Sequence, residues 1–185
     1  RRSSPIALSP DGRALVYAAR TEEGAQNLYL RELDRLDARA IPGTEGAHTP
    51  FYSPNRQWIG FFTHDALKRT TPRGGAPLTV ASLRQESLGA SWGRDDTILL
   101  AISAPPVLFR VPAGGGTPEP VTELEGDTGS HRYPSILPDG DSVLFTVMSG
   151  PALALLSLEA GDVRSLEALG AASGGQYLPT GHLVY

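Results

Sequence analysis

The sequence contains no cysteine and only one methionine. Without thiols the chain can form no disulfide, no zinc–thiolate site and no cysteine nucleophile, although this absence does not assign a compartment. Basic runs are also missing: the longest are the pairs Arg1-Arg2 and Lys68-Arg69, and the formal net charge is −4. Because nucleic-acid surfaces need a basic stripe, we discount DNA and RNA as partners.

Long apolar runs are missing as well. The longest, residues 151–158, has eight residues, whereas roughly twenty are needed to span a bilayer, so we expect no membrane segment within the chain. We do not expect residues 1–5 to begin a signal peptide, because no apolar stretch follows them. The sequence starts without methionine and ends in an apolar run, residues 182–185, which we interpret as a piece of a longer protein.

What the sequence does contain is a short phrase that returns five times, in steps of 44, 38, 46 and 41 residues. Its copies begin at Ser9, Ser53, Ser91, Leu137 and Leu178. This period is typical of WD40-like blades, the four-stranded units of a propeller. The sequence therefore predicts an all-β fold, a β-propeller of four-stranded antiparallel blades.

Short apolar runs between turn residues mark the strands of each blade. Second strands are predicted at 14–18, 58–62, 97–101, 142–146 and 182–185, third strands at 27–31, 66–69, 107–111 and 152–156, and fourth strands at 77–80, 120–123 and 163–166. Residues 1–185 then form about four and a half blades with no second domain. We expect them to be part of a ring of six to eight blades, with a closed four-bladed ring as the alternative.

The repeated phrase itself reads as a turn between the first and second strands. Proline fixes φ, Asp or Asn accepts hydrogen bonds from the backbone, and Gly takes a left-handed conformation. The residues predicted to anchor these turns are Ser9, Pro10, Asp11, Gly12, Ser53, Pro54, Asn55, Pro138, Asp139 and Gly140. Two turns have lost the Gly, at Arg56 and Asp96, and we expect these to be longer or more strained.

Residues 9–17 read Ser-Pro-Asp-Gly-Arg-Ala-Leu-Val-Tyr and resemble the repeat of TolB-like propellers. The resemblance covers essentially the whole chain. Further segments, among them 27–34, 50–54, 58–62, 130–134 and 181–185, resemble the propeller that follows the membrane helix of bacterial receptor-type serine/threonine kinases. That resemblance implies an extracytoplasmic sensor or interaction module. The alternatives are a periplasmic TolB-like interaction propeller and the gating propeller of a prolyl-oligopeptidase-like peptidase.

Kinase chemistry itself is missing, since the sequence has no His-Arg-Asp or Asp-Phe-Gly motif and no Gly-rich loop followed by a strand lysine. Gly89-Ala90-Ser91-Trp92-Gly93 matches a serine-hydrolase elbow, but no helix follows, and we interpret Ser91 as a blade anchor at the position of Ser9. We therefore predict that this segment is not an enzyme.

Metal and cofactor motifs are equally weak. The four histidines, at 48, 64, 131 and 182, lack ligand spacing. Glu123, Glu125 and Asp127 do not form a calcium loop, and the glycines at 74–75 and 114–116 are explained by hairpin turns. We predict no metal and no cofactor.

A binding site is predicted from topology. Loops that enter the innermost strands of a propeller gather at one mouth of its channel. Here these loops are 45–49, 85–88, 130–133 and 174–176. We predict that His48, His131, Arg132 and Tyr133 contribute to a polar site there for a protein or small ligand of unknown identity.

Overall fold

The computed structural model describes residues 6–21, 24–124, 129–148, 152–170, 172–178 and 181–185. Within them the chain forms β-strands joined by tight turns, and the helical element is a short 3-10 turn at Glu167–Leu169. No helix among these residues is long and apolar enough to cross a membrane. The chain divides into two compact units, residues 1–85 with 112–117, and residues 86–111 with 118–185.

Unit 1 contains two antiparallel four-stranded sheets, each in sequential strand order. The first blade consists of β1 (Ile6–Leu8), β2 (Ala14–Arg20), β3 (Gln26–Glu32) and β4 (Ala38–Ala40). The second consists of β5 (His48–Tyr52), β6 (Ile59–Phe62), β7 (Ala66–Thr70) and β8 (Leu78–Ser82).

Unit 2 contains two further four-stranded sheets and a two-stranded one. The third blade consists of β9 (Ser87–Trp92), β10 (Thr97–Ile102), β11 (Leu108–Pro112) and β12 (Glu119–Pro120). The fourth consists of β13 (His131–Ile136), β14 (Ser142–Val147), β15 (Ala152–Ser157) and β16 (Val163–Ser165), and the last sheet pairs β17 (Gln176–Tyr177) with β18 (Leu183–Val184).

Blade faces form the core of each unit. In unit 1, Val16, Leu28 and Leu30 of the first blade pack on Ile59 and Phe61 of the second. In unit 2, apolar side chains of β10 and β11 in the third blade pack on those of β14 and β15 in the fourth. The cluster includes Leu99, Ala101, Leu108, Val143, Phe145, Ala154 and Leu156. These residues are apolar because a blade between neighbours buries both faces.

The turn between the first two strands of each sheet has one backbone pattern. Its last central residue is left-handed in all five sheets, at Gly12, Arg56, Asp96, Gly140 and Gly181, with φ between 60° and 85°. Arg56 and Asp96 adopt this conformation without being glycine, which costs roughly 1–2 kcal/mol each. The two turns without glycine are therefore strained rather than longer.

The predicted all-β class and its four-stranded antiparallel blades are confirmed. The third repeat differs in register, because the bond from the Ser9 amide to the Ala14 carbonyl recurs at Gly93, not Ser91. The fourth strand of that blade also lies earlier than expected, at Glu119–Pro120. Thr122 leaves the ladder because its hydroxyl accepts a hydrogen bond from the Leu108 amide at 2.9 Å.

Candidate functional site

The inner strands of the second, third and fourth blades share a bulge just after they begin. The register of the first two strands shifts between His48 and Phe51 in the second blade, and between Arg132 and Ser135 in the fourth. The backbone is left-handed four residues before the anchors Ser53, Gly93, Leu137 and Leu178, at Thr49 (φ 50°), Gly89 (116°), Tyr133 (53°) and Gly174 (70°). A bulge of this kind redirects the neighbouring side chains.

Two blades place glycine at this left-handed position, and two place a side chain there. Left-handed backbone costs an L-residue roughly 1–2 kcal/mol, and more for a β-branched or bulky one. Gly89 has a packing reason, since a Cβ there would lie 2.9 Å from the Tyr133 Cα. Tyr133 itself retains an aromatic side chain at a position that favours glycine.

His48 lies at the start of β5 in unit 1 and is half-buried. Its Nδ1 atom is 3.1 Å from the Thr49 hydroxyl oxygen. The ring stacks on Phe62, with centroids 6.1 Å apart and an interplanar angle of 18°. These contacts hold the imidazole at the start of β5.

His131 lies in unit 2 and is 6% exposed. Its Nδ1 atom is 2.8 Å from the Thr122 hydroxyl oxygen, and the ring meets Phe145 edge-on at 4.9 Å. Burial lowers the pKa of His131, because desolvation disfavours the charged ring. The side chain packs inside the blade, and its contacts are those of a core residue.

Strand register explains why His131 differs from His48. His48 pairs with Phe62, whereas the equivalent pairing in the fourth blade joins Arg132 to Thr146. Arg132, not His131, therefore occupies the position of His48. A shift of one residue along a strand moves a side chain to the other face of the sheet.

Arg132 and Tyr133 are both half-buried on β13. The Arg132 Nε donates a hydrogen bond to the Ser130 hydroxyl at 2.7 Å, which holds the guanidinium at the strand entrance. Of the four predicted residues, His48 belongs to unit 1, and His131, Arg132 and Tyr133 belong to unit 2. Within unit 2, the accessible polar groups of the predicted site are those of Arg132 and Tyr133.

The anchor residues of the turns form closed hydrogen-bond networks. The Ser9 hydroxyl donates to the Asp11 carboxylate at 2.7 Å and accepts from the Ala14 amide at 2.9 Å. Ser53 and Asn55 repeat this arrangement, with the serine accepting from the Trp58 amide at 2.9 Å. The proline before each acidic or amide residue, Pro10 or Pro54, continues the same turn.

Asp139 anchors the fourth turn without a serine. Its Oδ1 accepts hydrogen bonds from the Ser142 amide at 2.9 Å and the Asp141 amide at 3.1 Å, between Pro138 and Gly140. The bond to Ser142 is the main reason that the pKa of Asp139 lies below its ordinary value. For Asp11 the Ser9 hydroxyl is the main cause of the same downward shift in pKa.

Ser91 makes a hydrogen bond to the neighbouring inner strand. Its hydroxyl oxygen accepts a hydrogen bond from the Ile136 amide at 3.1 Å and so links the two inner strands of unit 2. A serine nucleophile needs a base within hydrogen-bond reach. The interpretation of Ser91 as the equivalent of Ser9 is wrong by two residues, since Gly93 makes the anchor bond.

A polar groove of about 430 Å³ in unit 1 has no counterpart in the sequence prediction. Its walls include Asp11, Glu32, Tyr52 and Arg56, from four separate segments, and Arg56 pairs with Asp11 across it. The buried Tyr52 hydroxyl has no hydrogen-bond partner among the described residues. Burial, with smaller contributions from the charges of Glu32 and Asp11, raises the pKa of Tyr52 to about 12.

Within the described ranges, no three His, Asp or Glu side chains cluster in a way that could hold a metal ion. Glu125 and Asp127, which we considered as calcium ligands, lie outside the described residues. Glu123 lies at the edge of that segment and is exposed.

Solved structures with this fold include TolB proteins. TolB from Agrobacterium tumefaciens matches with a TM-score of 0.76 at 17% identity, over 88% of this chain and 64% of that one. TolB from Acinetobacter baumannii matches with a TM-score of 0.66 at 17% identity, over 88% and 42%. A puromycin-hydrolyzing peptidase from Mycobacterium tuberculosis matches with a TM-score of 0.67 at 20% identity, over 88% and 29%.

No protein-family model and no curated protein matches this sequence. At identities of 17–20% the structural likeness shows the fold alone, a β-propeller similar to that of the TolB proteins. The chain spans less than two thirds of the length of each TolB that it resembles.

Proposed function

We propose that this chain is a non-catalytic binding module that recognises a protein segment through the entrance of its inner strands. The observation that carries the proposal is Tyr133, which keeps a bulky side chain at φ 53°. Gly89 and Gly174 occupy the corresponding positions of two other sheets, and the buried Thr49, at φ 50°, occupies that of the second blade. Retained backbone strain of this kind clusters at ligand sites.

The chemistry of the entrance suits a peptide. Tyr133 supplies a half-buried ring with a hydroxyl, and Arg132 beside it supplies a guanidinium held by Ser130. Tyrosine and arginine are the side chains most enriched in the energetic centres of protein interfaces. Because Arg132 carries a positive charge, we expect preferred segments to include Asp or Glu.

A selection of random twelve-residue peptides displayed on phage tests this proposal. The wild-type chain should enrich acidic–aromatic peptides, and Arg132→Glu should reduce their binding by at least tenfold. Arg94→Glu is the matched control, since Arg94 is an exposed arginine in the turn after Gly93. If Arg132→Glu and Arg94→Glu bind the selected peptides equally well, the proposal fails.

The parent protein is part of the same proposal. The resemblance of the sequence to kinase-associated propellers supports an extracytoplasmic sensor module of a bacterial receptor kinase. The TolB-like fold supports a periplasmic interaction propeller equally well. The likeness to a peptidase, of which this chain covers 29%, favours a gating propeller as the other candidate.

Sequencing the gene on both sides of this segment separates the three parents. A kinase domain and one apolar helix upstream would support the sensor. A cleavable signal peptide would support the TolB-like protein, and a downstream hydrolase domain would support the peptidase.

A further inference from the structure

The polar groove of unit 1 lies between the first two blades. We call it the groove at Tyr52 and define it by Asp11, Arg13, Glu32, Tyr52, Asn55 and Arg56. Two contacts join the blades beside it: the ion pair of Arg56 with Asp11, and a hydrogen bond from the Arg39 guanidinium to the Pro72 carbonyl at 2.7 Å. Its volume of about 430 Å³ falls within the range of roughly 300–1,000 Å³ that is typical of small-molecule sites.

Arg56 supplies its side chain to this groove at a conformational cost. It has φ 61° at a turn position where three other sheets have glycine, and this backbone is unfavourable for arginine. Asp96, in the same position of the third blade, gains a hydrogen bond from the Nε1 of the buried Trp92 at 3.1 Å. Arg56 gains only its pair with Asp11, whose side chain is 26% exposed while its own is 54% exposed. Exposed ion pairs contribute little to folding, so stability does not explain the strain at Arg56, and such strain clusters at ligand sites.

The Tyr52 hydroxyl lacks a hydrogen bond. Its oxygen is buried and has no partner within the part of the chain that the structure describes. A buried polar group without a partner lowers the stability of the folded chain. Burial raises the pKa of Tyr52 to about 12, so at neutral pH the hydroxyl keeps its proton and can donate it to a hydrogen bond. A ligand acceptor that enters the groove can supply the missing bond.

Two charges of the groove are unpaired, and they have opposite signs. Arg13 and Glu32 are exposed, and neither forms an ion pair with a described residue. They come from neighbouring positions of the first blade, because Glu32 pairs with Ala14 and the Leu33 amide donates to the Arg13 carbonyl at 2.8 Å. The groove therefore presents one free guanidinium and one free carboxylate.

This charge pattern favours a ligand that carries both signs. A guanidinium binds a carboxylate through two parallel hydrogen bonds, and a carboxylate binds an ammonium group. A net anion would pair with Arg13 but be repelled by Glu32, and a net cation would meet the reverse situation. A zwitterion pairs with both side chains, and its carboxylate can also accept the proton of the Tyr52 hydroxyl in a hydrogen bond.

We propose that the groove at Tyr52 binds a small zwitterion, an amino acid or a dipeptide with a free ammonium group and a free carboxylate. Glu32 binds the ammonium group, and Arg13 and the Tyr52 hydroxyl bind the carboxylate. The groove belongs to unit 1, whereas Arg132 and Tyr133 belong to unit 2. The proposal is therefore independent of the peptide site at the inner strands.

Two-dimensional amide NMR tests the proposal, because it detects weak binding residue by residue. The 185-residue chain is titrated with each standard amino acid and each glycyl dipeptide. At least one of them should shift the amides of residues 11–14, 30–32 and 52–57. Acetylating the amine of that ligand, or amidating its carboxylate, should weaken binding at least about tenfold, since each change removes one charged partner. The titrations also separate the two sources, because they show whether single amino acids or dipeptides bind more tightly.

Substitutions test the assignment of the two charges. Glu32→Gln and Arg13→Gln should each weaken binding at least about tenfold, because each removes a charge-assisted hydrogen bond. Glu86→Gln and Arg94→Gln are the matched controls, since both residues are exposed and belong to unit 2. Binding by Glu32→Gln that equals binding by Glu86→Gln would overturn the proposal.

Tyr52→Phe separates binding from folding. Because the hydroxyl has no partner in the free chain, its removal should not lower the urea midpoint, but it should weaken binding by about fivefold. The proposal is overturned if no amino acid or dipeptide shifts the groove amides, or if the blocked ligands bind as tightly as the free ones. It is also overturned if glucose shifts these amides at lower concentration than any zwitterion, because the groove would then recognise hydroxyl groups.

Discussion

Replacing Ser53 with alanine should destabilise the chain through its turn network. Ser53 is 0% exposed. Its hydroxyl accepts from the Trp58 amide at 2.9 Å and donates to the Asn55 side-chain oxygen at 2.8 Å. That oxygen also accepts from the Gln57 amide at 3.0 Å, so one hydroxyl supports both ends of the turn.

The expected loss follows from these bonds. A backbone amide left without its acceptor costs about 1–3 kcal/mol, and a lost side-chain bond costs about 0.5–1.5 kcal/mol. Ser53 is buried, but its partner Asn55 and the neighbouring Gln57 are exposed, so we take the lower half of the combined range, about 1.5–3 kcal/mol. For a chain of this size that lowers Tm by roughly 3–12 °C.

Urea denaturation followed by circular dichroism measures the change. Ser53→Ala should lower the midpoint at an unchanged m-value, whereas Ser103→Ala, an exposed serine, should leave it in place. If the free energy of unfolding of Ser53→Ala lies within about 0.5 kcal/mol of the wild-type value, the reasoning is refuted. A change that small is typical of substitutions at exposed surface positions.

Three further predictions use the same assays. Thr44→Val removes a buried hydroxyl that accepts a hydrogen bond from the Leu28 amide at 3.0 Å and donates one to the Ile41 carbonyl at 2.6 Å. The free energy of unfolding should therefore fall by about 2–4 kcal/mol. An unchanged urea midpoint would contradict this. The lowered pKa of His131 means that the unfolded chain binds a proton more readily than the folded chain. The free energy of unfolding should therefore fall as pH drops below about 6.5, by less than 1.4 kcal/mol per pH unit from this group, and His131→Gln should reduce the slope; equal slopes would remove His131 as the cause. Tyr133→Gly should leave the free energy of unfolding within about 1 kcal/mol of wild type, because relief of the left-handed strain offsets the lost packing. The same change should reduce peptide binding. A large loss of stability with peptide binding intact would mark Tyr133 as structural.

The blades were predictable because their signals are local. Each turn is formed by residues that are adjacent in the sequence: serine, proline, an acidic or amide residue, and glycine. The apolar run that follows forms a strand and pairs with the next one. The third repeat was misread because Gly93 has replaced the serine and the Asp95 carboxylate alone receives the Thr97 amide, at 3.1 Å. That turn is also one residue shorter, since the Gly93 amide bonds to Thr97 across four residues rather than five.

The candidate site was predictable only in part. Topology indicates which loops enter the inner strands, but the bulge at Tyr133 decides which side chains point outward, and no local pattern marks a bulge that uses tyrosine. His131 was consequently assigned to the entrance and lies in the core. The groove at Tyr52 joins residues that lie far apart in the sequence, such as the Asp11–Arg56 pair at a separation of 45 positions, so only the fold brings them together.

Hydrogen–deuterium exchange with a selected peptide tests the central claim most directly. The account predicts that the peptide slows exchange at residues 130–134 and leaves the turns at 9–13 and 53–57 unchanged, and that Arg132→Glu abolishes the effect. Protection confined to those turns, with residues 130–134 unaffected, would contradict it and transfer the binding surface to the groove at Tyr52.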